Sequence, residues 1–202
     1  MSQLLLEASI ILNYRDHMQY NICTYGNPVL REKATSIKSF SDTLKTLADD
    51  MLQIMKEHNG IGLAAQQIGE TIQICTVDLD PKYDIAEQGK TRLNPDIIMP
   101  LVLINPVIYE KTGRQTAAEA CLSVPEISAP VLRAFEISVS CLNLKGEDQQ
   151  FHIKGYMARV IQHEIDHLNG MLFVDRISPV KKISLSGKLK RLKKQYLLSQ
   201  PK

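Results

Sequence analysis

The sequence predicts an α+β domain: mixed or antiparallel sheets around a central helix, with one helix ahead of the sheets and a basic helix at the C-terminus. Three observations predict it. Segments rich in β-branched residues crowd the middle of the chain, from "TIQICTVDL" (71–79) to "FHIKG" (151–155). One strongly periodic helix precedes them and another follows, unlike the strand–helix alternation of a parallel fold. From Arg176 to Lys202 the chain carries many Lys and Arg and no Asp or Glu.

The elements follow in order. "NPVLREKAT" (27–35) reads as irregular. In "SDTLKTLADDMLQIMKEHNG" the apolar residues Leu44, Leu47, Met51, Ile54 and Met55 recur at helical spacing. Ser41 can cap that helix and Asn59-Gly60 can end it. Residues 71–79 read as a strand, and the polar stretch 80–100 as a surface excursion. "LVLINPVIY" is a strand whose Pro106 needs an edge or a bulge. "FEISVSCLNLKGEDQQFHIKG" reads as a hairpin turning at Gly146-Glu147-Asp148. "GYMARVIQHEIDHLNG" is a helix closed by Gly170, and Ser178-Pro179 opens the basic helix. The expected organisation is an N-terminal extension (1–19), a catalytic domain (20–178) and the C-terminal helix (179–202), with either Met1 or Met18 as the natural start.

The chain has 202 residues and a net charge of +2. That is enough length for a real core and too little charge for nucleic-acid binding by the whole domain. Four cysteines, Cys23, Cys75, Cys121 and Cys141, form no CxxC pair, which suits a reducing compartment. The opening "MSQLLLEASIILNY" has Glu7 inside its apolar run and no basic residue before Arg15, so it reads neither as a secretory signal nor as a membrane span. A cytoplasmic protein is expected, with no membrane partner.

"QHEIDHLNG" (162–170) carries the chemistry. Residues four apart on a helix stand nearly over one another, so His163 and His167 can bind one cation. Glu164 lies about 100° round the helix, beside such a cation, where it can handle the proton of a water. Three protein ligands would leave one position open for that water. A surface helix with chance histidines fits poorly, because Val160, Ile161, Ile165 and Leu168 surround the polar set. The third ligand is not a histidine of an HExxHxxGxxH run, since Phe173 stands there, and no Glu follows Glu164. The remaining candidates are His17, His58, His152 and the thiols; Cys121, in "EACLSVPEI", is the strongest.

Two rival readings fit parts of the sequence less well. "GIGLAA" (60–65) fits a dinucleotide fingerprint, but that fingerprint must follow a strand, and here it follows a helix, so no dinucleotide is expected. A structural zinc site would need four protein ligands, usually with paired thiols.

Three separated motifs, "GIGLAAQQIG" (60–69), "EACLSVP" (119–125) and "QHEIDHLNG" (162–170), resemble those of peptide deformylase, in that order. "YGNPVLREKA" (25–34) is similar to the family's entry segment, and the resemblance runs from about Tyr20 to about Ser178. It implies removal of the formyl group from N-terminal formyl-methionine of newly synthesised proteins, giving formate. It implies one divalent cation on Cys121, His163 and His167, ferrous iron physiologically, with zinc, nickel or cobalt as substitutes. It implies attack by a metal-bound hydroxide, with Glu164 as general base and acid, and Gln67 and the Leu122 N–H stabilising the oxyanion. It places Ile61, Gly62 and Glu119 beside the substrate. Val160 and Tyr156, one and two turns before His163 on the same helix, either line the methionine pocket or pack in the core. The implied partners are N-formylmethionyl nascent peptides, with the basic tail offering contact to ribosomal RNA. One departure stands out: Ala120 replaces the glycine of the family's "EGCLS". If its methyl obstructs the site, the alternative is a deformylase-like homologue with impaired or altered activity. The expectation here is an extended Ala120 with its methyl turned away from the peptide.

Overall fold

The computed structural model describes residues 20–86, 89 and 91–200. The expected N-terminal extension, 1–19, lies outside the described residues. Among the described residues three helices, α1 (Asp42–Glu57), α2 (Gly155–Leu168) and α3 (Pro179–Ser199), combine with seven strands. The strands are β1 (Gly62–Ala64), β2 (Ile74–Val77), β3 (Leu101–Thr112), β4 (Gln115–Cys121), β5 (Val124–Arg133), β6 (Glu136–Leu142) and β7 (Asp148–Lys154). Five of them form an antiparallel sheet in the order β1-β2-β3-β6-β7, while β4 and β5 pair as a separate hairpin. This is the expected α+β class.

The sequence reasons for these elements are visible. Ser41 Oγ accepts from the Leu44 N–H at 3.4 Å and starts α1, which buries Leu44, Leu47, Met51, Ile54 and Met55. α2 begins at Gly155 with φ +64°, a conformation that favours glycine, and a β-carbon there would meet Leu93 Cδ1 at 2.5 Å. The helix lies centrally, packing Met157, Ala158, Ile161 and Leu168 against Cys75, Leu103, Val139 and Ile153 of the sheet. Each fully buried Ile or Leu in this layer contributes roughly 1.5–3 kcal/mol.

Pro106 sits in a bulge, one of the two placements expected for it: β3 is third in the sheet, and its register with β6 shifts between Ile104 and Val107. Asn105, with φ 50°, stabilises that bulge by bonding both the N–H and the C=O of Ile37 at 2.8 Å. The strand expected over 71–79 is pared to Ile74–Val77. The segment 27–35 contains a 3-10 turn, Pro28–Arg31, capped by Asn27. The β6–β7 turn starts earlier than expected, with Asn143 Oδ1 accepting from the N–H groups of Lys145 and Glu147, and Asp148 already opens β7.

The β4–β5 hairpin was not foreseen. β4, "QTAAEAC", lacks β-branched residues beyond Thr116, and β5 carries Pro125 and Pro130. Both prolines are tolerated because β5 pairs on one side only. β5 alternates, burying Ile127, Ala129, Val131 and Arg133. Its buried face meets Phe173, Val174 and the α3 residues Leu185, Leu189 and Leu192, so the basic helix is part of the body of the protein. Among the described residues no helix is long and apolar enough to cross a membrane.

Candidate active site

α2 presents His163 and His167 on one face, with ring centroids 5.0 Å apart. Cys121 arrives from the end of β4, where the β4–β5 register shifts between Ala120 and Cys121 and re-aims the side chain. Its Sγ lies 3.2 Å from His167 Nε2. One donor atom from each of Cys121, His163 and His167 lies within 4.8 Å of the others. The other candidates are elsewhere. His152 bonds Glu136 and Ser138 at the far edge of the sheet, His58 caps α1, Cys75 and Cys141 are buried in the sheet core, and His17 lies outside the described residues.

The donor set fits a divalent cation. His163 Nδ1–H donates to Glu119 Oε2 at 3.0 Å, which leaves Nε2 as the free lone pair. Burial first, with the Arg133 charge adding to it, holds the His167 imidazole well below its ordinary range, in the neutral form that a ligand requires. One thiol and two imidazoles suit iron, zinc, cobalt or nickel.

Glu119 is the post behind this face. It is buried, and its two oxygens accept from Arg133 Nε and Nη2 at 2.9 Å each and from Arg159 Nη1 at 2.6 Å. Burial pushes the carboxyl up, but the Arg133 and His163 bonds outweigh it and hold the group well below the usual carboxylate range. Arg133 also pairs with Asp166, and Arg176 pairs with the same carboxylate from outside. Glu119, expected beside the substrate, thus has its carboxylate committed to His163 and two arginines. No motif in the sequence marks Arg133, Arg159 or Asp166; the signal it carries is two charged residues, Arg159 and Asp166, inside the apolar stripe of α2.

Glu164 is 3% exposed, and its Oε2 has no hydrogen-bond partner among the described residues. Burial pushes its carboxyl up to about 7, against the pull of His163 and Arg133. Gly62, from β1, stands against it: a β-carbon there would come within 2.8 Å of Glu164 Cδ. Gln67 is equally buried. Its Oε1 accepts from the Ala64 N–H at 2.8 Å, which fixes the amide orientation and turns Nε2 toward Cys121 Sγ, 3.5 Å away.

Gln67, Cys121, His163 and Glu164 line one cleft of about 500 Å³. Ile61, Gly62, Leu122, Tyr156 and Val160, all singled out in the sequence, line it, as do Glu119 and Ala120. Ala120 is extended, in β4 opposite Ser128. One further wall was not foreseen: Tyr83, from the 80–100 excursion, packs its ring 6.0 Å from that of Tyr156. The excursion is anchored by buried Asp84, which accepts from Arg92 and Asn94, while Asn94 bonds both main-chain groups of Lys154 beside the start of α2. The Gly60–Ala65 segment enters β1 from α1, not the strand-to-helix turn of a dinucleotide site.

Comparison with known proteins gives a consistent result. Residues 19–183 match the family model described as polypeptide deformylase. A peptide deformylase of Dictyoglomus thermophilum is 41% identical over 75% of this chain and 88% of its own. That of Opitutus terrae is 40% identical over 88% of this chain and 94% of its own. Among solved structures, the peptide deformylase of Plasmodium falciparum superposes with a TM-score of 0.78 at 31% identity, covering 90% of this chain and all of that one. The Thermotoga maritima peptide deformylase gives 0.70 at 37% identity, covering 81% of this chain and all of that one.

Proposed function

This chain belongs to the peptide deformylase family of hydrolases, and we propose that Glu164, Gln67 and the Leu122 N–H carry out deformylation at a divalent cation held by Cys121, His163 and His167. The family removes N-formyl groups from nascent peptides and depends on a metal. The observation that carries the reading for this chain is the cluster of three ligand atoms from Cys121, His163 and His167, two of whose residues line the same cleft as the buried, part-unsatisfied Glu164 carboxylate.

A divalent cation held by Cys121, His163 and His167 would supply an acidified water and positive charge for the developing oxyanion. Glu164 takes the proton of the attacking water and returns it to the leaving nitrogen. Its raised proton affinity suits both halves of that task. Gln67 Nε2–H and the Leu122 N–H donate to the oxygen that gains charge as the carbonyl carbon becomes tetrahedral. Gln67 is held for this by Ala64, so no reorientation is needed when charge develops.

The formyl-methionine enters along Ile61 and Gly62, and its side chain lies against Val160, Tyr156 and Tyr83. The thioether sulfur is polarizable and packs well on aromatic rings. Ferrous iron is the physiological metal in this reading, and the reaction takes place in the cytoplasm, where formylated chains emerge.

The test is formate release from a formyl-methionyl peptide by protein loaded anaerobically with ferrous iron. Glu164→Gln should keep stoichiometric metal while turnover falls by at least about a hundredfold, the scale of general acid–base catalysis. Loss of the metal on that substitution would make Glu164 a ligand and overturn the assignment.

A further inference from the structure

The opposite face of α2 borders a second groove, of about 610 Å³. Gln162, Ile165, Asp166 and Asn169 face it, whereas Tyr156, Val160, His163 and Glu164 face the cleft. The strand order explains why it exists. β2 covers β3 only from Leu101 to Ile104, and from Val107 to Thr112 β3 pairs with β6 alone. Gln73, whose C=O accepts from the Asn105 N–H at 2.8 Å, closes the groove where β2 leaves off. Among the described residues no main-chain group takes up the other side of β3 over 107–111. A strand edge of this kind is a template for an added strand.

The side chains around that edge carry a consistent charge. Lys33, Lys111 and Arg114 line the groove, and among the described residues none has a carboxylate within ion-pair distance. Asp166 is the one carboxylate in the lining, and Arg133 and Arg176 already hold it. Glu110, next to Lys111, is engaged by Ser138 on the neighbouring strand β6. Between the cations stand Val107 and Leu132, both more than half exposed.

We propose that this groove binds an acidic, extended peptide segment as an added strand along Val107–Thr112 of β3. Main-chain pairing supplies affinity and the alternating side chains supply selection, carboxylates toward Lys33, Lys111 and Arg114, apolar groups toward Val107 and Leu132. The lining holds no aromatic ring on which a base would stack, which favours a peptide over a single-stranded nucleic acid. The proposal does not depend on deformylation, since the groove and the cleft lie on opposite faces of α2.

The test uses the full chain and a fluorescein-labelled acetylated hexapeptide of alternating Glu and Val, followed by anisotropy at low salt. Saturable binding that weakens with salt is expected. K111E/R114E should weaken it at least about tenfold, and K33E, on a different segment, serves as a second variant should the first not fold. The same peptide N-methylated at alternate amides should not bind, because one row of donors is gone. No saturable binding to the wild type would overturn the proposal. So would equal binding of the N-methylated peptide, or tighter binding of a single-stranded oligonucleotide of matched charge.

Discussion

Glu164 fills the space that a side chain at Gly62 would need. A β-carbon at Gly62 would lie 2.8 Å from Glu164 Cδ and 3.0 Å from Cγ, so β1 and α2 approach this closely only because position 62 has no side chain. Gly62→Ala should displace the carboxylate while leaving Cys121, His163 and His167 in place. The expected outcome is an unchanged metal content with kcat reduced at least about tenfold, some 1.4 kcal/mol in the barrier. Wild-type turnover in the alanine variant would show that Glu164 need not stand where it does.

Glu119 positions His163 and neutralises two buried guanidiniums, on side chains 3% and 2% exposed. Glu119→Gln keeps the shape and removes the charge. Breaking such a buried pair costs roughly 3–5 kcal/mol, and losing the partner of a metal-bound histidine weakens metal affinity about 10–100-fold. Chemical denaturation and competition with a chelator read the two effects separately. A variant as stable and as metal-avid as the parent would mean that Glu119 only fills space.

Tyr83 tests the excursion's part in substrate binding. Tyr83→Ala should raise KM for a formyl-methionyl peptide up to about tenfold, the upper range for sulfur–aromatic contact, with kcat and metal content little changed. Tyr83→Phe should behave as the wild type, since the ring rather than the hydroxyl makes the wall. A fall in kcat alone would place Tyr83 in the chemistry instead.

The basic helix α3 needs a different test from simple truncation. Leu185, Leu189 and Leu192 are buried under β5, so removing the helix would strip the core. Lys188, Lys190 and Lys194 are exposed. If α3 contacts ribosomal RNA, reversing these three to Glu should abolish co-sedimentation with ribosomes at low salt, and the wild-type interaction should weaken steeply as salt rises. Equal sedimentation of the two proteins would leave the charge run as a solvated helix face.

The sequence by itself determined what depends on neighbours along the chain. The 3.6-residue period placed α1 and α2, Ser41 and Gly170 marked their ends, and the spacing of His163, Glu164 and His167 put two nitrogens on one face with the carboxylate beside them. Turn chemistry and β-branched content located β2, β3, β6 and β7. The three motifs, read together, identified the family. Only the tertiary structure decided what depends on distance through space. Local pattern made Cys121 only the strongest of four thiols, and its role came from the resemblance; the β4–β5 bulge is what brings it 3.2 Å from His167, a residue 46 positions away. The hairpin itself was hidden, because an alanine-rich β4 and a proline-bearing β5 become strands by pairing with each other and not by propensity. The same holds for the Arg176–Asp166–Arg133–Glu119–His163 chain of charges, the tyrosine wall and the uncovered edge of β3. Each is a contact between segments far apart in the chain, set by how the layers pack, and local periodicity carries no measure of that distance.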